Sequence, residues 1–277
     1  MTPTSRCLTV GLTLLVAGAA PAGAETIEAL GAKLRPHKAI YELQVHTIDP
    51  TSKVAEVNGA IYYEFGETCT AWTVRHKFRL AVVRASRPEV ETLTDFNSTE
   101  TKDGLSFRFS STTKTDGQES ERLVGAATLQ SIGGPGEVVL TSPEAKRSAL
   151  PAGTLFPTYH TLRLGQLAQE GKTQFWSTVF DGSDKAKHSG VNVVILGLVQ
   201  PQIEPATVPP GRALTNAPGV RARVSYFDSD KADAKPGYEL TLRLNSNGVT
   251  PEMMIDYGQF TLKAVLRAIE PLPRPKC

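Results

Sequence analysis

The chain has 277 residues, with 30 basic and 28 acidic side chains, 40% hydrophobic residues and only 7% aromatic ones. That length carries one large domain or two ordinary ones, and the balance excludes a disordered chain, a coiled coil and a polybasic nucleic-acid binder. With charges so evenly matched, electrostatics names no class of partner.

The first 24 residues read as an address. Arg6 and the α-amine make a short basic start, Cys7 to Ala20 (CLTVGLTLLVAGAA) is uncharged, and Pro21, Ala22, Gly23 and Ala24 supply a small-residue cleavage site. As a helix, that uncharged run spans only about 21 Å, too little for a bilayer core. The expectation is a signal peptide over 1–24, cleaved after Ala24, and an exported, periplasmic protein with no spanning segment. Cys7 precedes the apolar run instead of ending it, so it is not a lipidation cysteine. The mature chain keeps 29 basic against 28 acidic side chains and two cysteines, Cys69 and Cys277. Two cysteines in an oxidising compartment most often pair. By the chain-entropy account, a bond closing so long a loop contributes roughly 5 kcal/mol at most. Two free thiols, or a bond from Cys277 to another chain, are the alternatives.

Behind the address, 26–33 reads as a short helix. Residues 38–47 put Ala39, Tyr41, Leu43 and Val45 on one face and Lys38, Glu42, Gln44 and His46 on the other, the period-2 pattern of a half-buried strand. The alternation returns at Ile61, Tyr63 and Phe65, and at Leu105, Phe107 and Phe109. A second helix is expected from the Pro157-Thr158 step to Glu170, closed by Gly171, with Leu164, Leu167 and Ala168 on one stripe that packs against a sheet. Residues 201–219, with five prolines, read as a long loop. Strand patterns resume at Tyr238, Leu240, Leu242 and Leu244, and at Phe260, Leu262, Ala264 and Leu266. The tail from Pro271 to Cys277 should be extended. Asn58-Gly59, Asp103-Gly104, Asp116-Gly117, Asp181-Gly182 and Asn247-Gly248 punctuate the runs as candidate hairpin turns. Together these predict one β-rich domain over 25–277, about a dozen strands in antiparallel meanders without βαβ units, curled to limit its edges.

No catalytic signature emerges. His37, His46, His76, His160 and His188 show no zinc-site spacing. His160 reads as a helix-start histidine bonded to nearby backbone. There is no Gly-x-Ser-x-Gly elbow, and Cys69 as nucleophile would be consumed by a disulfide. Gly133-Gly134-Pro135-Gly136 lacks the Lys-Ser/Thr of a phosphate loop, and Asp181-Gly182-Ser183-Asp184 lacks EF-hand spacing; both read as turns. Asn97-Ser98-Thr99 fits a glycosylation sequon that arises often by chance. Tyr62, Tyr63, Phe65 and Trp72 read as core or cavity wall. Neither metal nor cofactor is expected.

Several segments in this order are nevertheless specific: Leu34 to Leu43 (LRPHKAIYEL), Gly66 to Cys69 (GETC), Pro151 to Thr161 (PAGTLFPTYHT), Val179 to Asp184 (VFDGSD) and the terminal Cys277. The combination resembles the EipB-like family of periplasmic cell-envelope integrity proteins of α-proteobacteria, over essentially the whole mature chain. That resemblance implies a strongly bent, spiral antiparallel sheet forming an open, incomplete barrel around one main helix. It also implies a Cys69–Cys277 disulfide and an architecture similar to the lipoprotein carriers LolA and LolB. It transfers no catalytic residue. The expected function is accordingly non-enzymatic maintenance of the envelope through a hydrophobic ligand or envelope component. A scaffold acting through its surface is the alternative, and an envelope hydrolase is a third reading without a visible nucleophile–base pair. Partners to expect are a periplasmic or envelope protein, or the acyl chain of a lipid or lipoprotein.

Overall fold

The strand β1 (His37–Ile48) buries His37, Ala39, Tyr41 and Leu43 and turns Lys38, Glu42 and Gln44 outward, as its alternation requires. This is the first strand of a computed structural model that describes residues 24–85, 87–183, 187–201, 210–228 and 235–277. The expected export segment, apart from Ala24, lies outside the described residues, as do Asp184 and residues 202–209 of the proline-rich 201–219 stretch. From β1 the chain meanders through β2 (Val54–Glu67), β3 (Ala71–Arg84), β4 (Val90–Thr101), β5 (Ser106–Thr115), β6 (Gln118–Leu129), β7 (Gly136–Ser142) and β8 (Lys146–Leu150). A two-residue strand β9 (Thr154–Leu155) and helix α2 (Pro157–Gln169) lead to β10 (Gln174–Val179) and β11 (Ser189–Val199). The short α3 (Pro210–Ala213) precedes β12 (Gly219–Asp228), β13 (Tyr238–Asn245), β14 (Glu252–Asp256) and β15 (Phe260–Pro271). Ahead of all of them stands α1 (Ile27–Lys33), whose Thr26 side chain caps the first turn by accepting from Ala29 N–H.

All fifteen strands form one sheet, ordered β8-β7-β6-β5-β4-β3-β2-β1-β15-β14-β13-β12-β11-β10-β9. Every pairing is antiparallel except β9 with β10. Pairing of β1 with β15, from His37 opposite Pro271 to Ile48 opposite Phe260, joins the two halves of the meander. The end strands β8 and β9 are linked by three residues yet do not pair, so the barrel stays open along one seam. The incomplete barrel implied by the family resemblance is what the chain forms.

Two expectations need correcting. Strands β9 and β10 are parallel and joined through α2, a βαβ unit inside an otherwise antiparallel sheet. Asn58-Gly59 is not a turn but lies mid-way along β2, opposite Leu80 and Leu43 through Gly59. A Cβ at Gly59 would come 2.3 Å from the carbonyl oxygen of Arg79, so glycine is there because two backbones approach closely. The other signals hold. Asp116 and Gly117 both take positive φ between β5 and β6, the primed-turn geometry that matches strand twist, and Gly104, Gly182 and Gly248 take positive φ in their connections.

Alternate residues of the strands fill the interior with three apolar clusters: Tyr41, Ile61 and Leu262 on the β1–β2–β15 side, Phe107, Phe109 and Leu123 on β5–β6, and Val191, Val193 and Val224 on β11–β12. Helix α2 supplies the last of these with Leu164 and Ala168, while Leu162 turns the other way onto Trp72, Phe65 and the α1 side chains Ile27 and Leu30. Leu164 and Ala168 of the predicted stripe therefore pack on the sheet, Leu167 is buried beside them on α2, and Gly171 ends the helix at φ 74°. Full burial of a leucine contributes about 1.5–3 kcal/mol. Leu164→Ala should cost about 3 kcal/mol in urea unfolding, because the rigid sheet behind it cannot collapse into the gap; a loss under 1 kcal/mol would refute this packing.

Cys69, in the turn before β3 rather than on the strand, is bonded to Cys277, with Cα atoms 5.7 Å apart. The bond is not the tail's only anchor. Leu272 N–H donates to Pro36 O at 2.9 Å, and the Arg274 guanidinium donates to the carbonyls of Ala32 (2.7 Å) and Leu34 at the end of α1. Cys277→Ser should therefore lower stability by about 2–5 kcal/mol while leaving a cooperatively folded protein, read by calorimetry under non-reducing conditions.

Candidate binding cleft

A cleft of about 230 Å³ opens where α1 and α2 lie over the ends of β11, β12 and β13. Its walls are apolar: Leu30 and Leu34 from α1 and its end, Leu162 and Ala168 from α2, Val220 from β12 and Leu244 from β13. Lys33, Gln169 and Ser246 stand among the polar groups of its lining. Gly165 lies on the α2 wall, and a Cβ there would meet nothing within 4 Å. A larger depression of about 490 Å³ on β6–β8 is shallower and more polar, with Glu137 and Arg147 paired across it at 3.0 Å. The smaller cleft is the better place for an apolar ligand, because its walls remove more hydrocarbon surface from water.

Each wall is fixed by identifiable contacts. Glu25 N–H donates to Gln169 Oε1 at 3.0 Å, and Gln166 Nε2 donates to Glu25 O at 3.1 Å, tying the start of α1 to the end of α2. Arg35 N–H donates to Asn247 O at 2.9 Å, tying the end of α1 to the β13–β14 turn. Beneath α1 lies Trp72; a Cβ on Gly31 would already stand 3.0 Å from the indole.

The start of α2 is held by a residue from another strand. Phe156, at the N-cap position, offers no capping side chain. Instead the Glu100 carboxylate of β4, only 2% exposed, accepts from Thr158 N–H and Tyr159 N–H, both at 2.7 Å. These orphan amides at the positive end of the helix suit an anion. Burial nevertheless pushes the Glu100 carboxyl up to about 7, against the pull of those amides. His160, expected as a helix-start histidine bonded to nearby backbone, instead lies in the core, 5.6 Å from the Phe175 ring, with Nε2 unpartnered among the described residues. Burial holds it down near 4, and burial also lowers His37 and His76.

Of the other residues singled out from sequence, none joins this cleft as a chemical centre. His37 Nδ1 pairs with Arg35 O at 2.7 Å, and no group of three or more His, Cys, Asp or Glu among the described residues could hold a metal. Gly134 N–H closes on Ser131 O in the β6–β7 turn, and Asp181 Oδ1 accepts from Ser183 N–H in a local turn. Asn97 sits on β4, where its side chain donates to Asp95. Phe65 and Trp72 are core, Tyr63 is an inward phenol raised to about 12 by burial, and Tyr62 faces outward onto Glu64. Sequence reasoning missed Glu100 and Gly165. Glu100 carries the period-2 signal of an inward position, opposite Trp72 and Phe107, but an acid there reads as solvated unless the helix end is known.

The titrations give a signed prediction. Between about pH 4.5 and 7, folded Glu100 keeps a proton that the unfolded chain has released, so its contribution to stability falls as pH rises through that window. The histidines work oppositely: below about 6.5 the unfolded chain binds protons that folded His160 refuses, so their contribution falls as pH drops. Glu100→Gln removes only the first effect. The stability of the variant relative to the parent should therefore rise between pH 5 and pH 8, by at most about 3 kcal/mol. Urea unfolding at the two pH values measures it, and a pH-independent difference would refute the assignment.

No helix among the described residues is long and apolar enough to cross a membrane. The family model described as EipB-like matches residues 28–273, from α1 to the tail that carries Arg274's neighbours. The "Cell envelope integrity protein EipB" of Brucella abortus (strain 2308) is 30% identical over 237 residues, 84% of this chain and 83% of that one. A crystal structure of a β-barrel-like protein from Brucella abortus, of a domain of unknown function, superposes with a TM-score of 0.76 at 28% identity, covering 87% of this chain and 99% of that one. A match of this extent means that the chain belongs to the EipB-like family.

Proposed function

We propose that the chain is an exported, non-catalytic envelope protein that helps keep the cell envelope intact by holding one hydrocarbon chain of an envelope component in the α1–α2 cleft. The name of the Brucella abortus relative supports the envelope role. The export address over 1–24 and the Cys69–Cys277 bond support the periplasm as its place. One observation carries the ligand: the apolar cleft walled by Leu30, Leu162, Val220 and Leu244. At about 230 Å³ it lies below the ~300–1,000 Å³ of ordinary small-molecule sites, which suits a single chain end rather than a whole lipid. A scaffold acting through its surface is the second reading. What favours it is the interior beside α2, where Phe156 stacks on Phe107 and Phe180 meets Phe109 edge-on, leaving little room.

Native mass spectrometry of protein purified from its own periplasm separates the two readings. A bound lipid-sized mass is expected, and Gly165→Phe should abolish it by filling the cleft. The same change should leave stability unchanged or raise it by about 0.5 kcal/mol, since glycine is the poorer helix former and its Cβ meets nothing. Parent protein that carries no ligand would favour the scaffold, and ligand retained by Gly165→Phe would move the site elsewhere.

A further inference from the structure

Strand β10 has six residues, but its neighbour on the seam side, β9, has only two and pairs with Thr178 and Val179 alone. Hydrogen-bond parity shows what is left over. Ile195 N–H donates to Thr173 O, so Thr173, Phe175 and Ser177 bond to β11. Gln174 and Trp176 must then aim their N–H and C=O groups into the seam, on the side where Phe180 N–H meets Leu155 O lower down. No described residue answers them there. The reason lies in the chain before β9: Gly153 takes φ 89° and donates its N–H to Gly133 O, pulling the backbone away towards the β6–β7 turn.

An open edge is normally blunted. The facing edge, β8, is: Lys146 and Arg147 lie in it, and Pro143 and Pro151 flank it. The β10 edge carries no such device. Gln-Phe-Trp-Ser-Thr-Val holds no charge, no proline and four residues of high strand preference, and Trp176 is 60% exposed. Its indole lies across Gly190, where a Cβ would stand 2.4 Å from the ring, and 5.4 Å from the ring of Phe227. Elsewhere the outer face is crossed by ion pairs such as Lys77–Asp95, Arg79–Glu91 and Glu42–Arg267. Around Trp176 the outward neighbours Asn192, Gly190 and Phe227 are uncharged.

We propose that the upper half of β10 is a strand-addition site for an extended, uncharged segment of a partner polypeptide. Main-chain groups at strand spacing are met by another main chain, not by a lipid or a small solute. The added strand bonds Gln174 and Trp176, and one of its side chains lies on the Trp176–Phe227 surface, where cross-strand aromatic contacts are favourable. This is independent of any ligand in the α1–α2 cleft.

The test uses a photo-crosslinking amino acid, p-benzoylphenylalanine, in place of Gln174 in the full chain in its own cells. The same group in place of Lys77 serves as the comparison. An adduct with another polypeptide is expected at 174, attached within an extended segment. Trp176→Pro should cut it about tenfold or more, because it deletes a seam-facing donor and puts a ring in the way. Trp176→Ala, which keeps the donor, separates the loss of the indole from the loss of the edge. Proline is tolerated where the N–H has no partner, so melting should barely move; if the 176 variant does not fold, Thr178 carries the crosslinker and Gln174→Pro, at the other seam-facing position, blocks the edge. The proposal is overturned by no adduct above the Lys77 comparison, by an adduct insensitive to both prolines, or by one formed with lipid, within this chain or with a second copy of it.

Discussion

A helix that starts inside a barrel has amides that water cannot reach, and this chain answers them with a carboxylate from another strand. Glu100 on β4 bonds Thr158 and Tyr159 and so fixes where α2 begins. Everything downstream of α2 takes its position from that point: Leu164 against β11 and β12, Leu162 against Trp72, Gln166 and Gln169 against the start of α1, and thereby both helical walls of the cleft. Desolvation opposes the arrangement and two charge-assisted hydrogen bonds favour it, which is why a single carboxyl sits near neutrality in its titration.

The strands were legible because period 2 is local. Ala39-Tyr41-Leu43 and Leu262-Ala264 announce their inward faces without knowledge of any neighbour. Pro157 and Gly171 marked both ends of α2 for the same reason. What failed was whatever depends on a partner. Asn58-Gly59 carries hairpin chemistry, but the contact that requires glycine comes from the backbone of Arg79, twenty residues on. Two-residue β9 has no periodicity to read, so the parallel pair stayed hidden with it. The Cys69–Cys277 pairing was the leading expectation once residues 1–24 were read as an export segment, but counting alone left free thiols and a bond to another chain open.

The cleft was illegible in a different sense. Its walls come from residues near 30, 162, 199, 219 and 245, none of them unusual for its element. Gly165 alone carries a hint, being the poorest helix former short of proline in the middle of an otherwise sound helix. The tail adds to the same region: Arg274 closes the carbonyl end of α1, Glu67 approaches that guanidinium at 3.6 Å, and Lys102 holds the other Glu67 oxygen at 2.7 Å. The cleft's α1 wall is therefore braced by the last residues of the chain.

The pairing of β1 with β15 sets the order in which this protein can be assembled. Strands β2 to β8 pair with sequence neighbours and can zip up as successive hairpins while the chain emerges, and β10 to β14 can do the same. Their union cannot occur until residues near 271 are present, because β1 waits for a partner more than two hundred residues away. A seam formed so late, over so long a loop, is the slow step expected of non-local topology. Until β15 is in place, the edges of β1 and β14 lie bare in what becomes the middle of the sheet. A chain cut short before β15 would keep both edges permanently, and so should aggregate rather than fold into a smaller version of the same barrel.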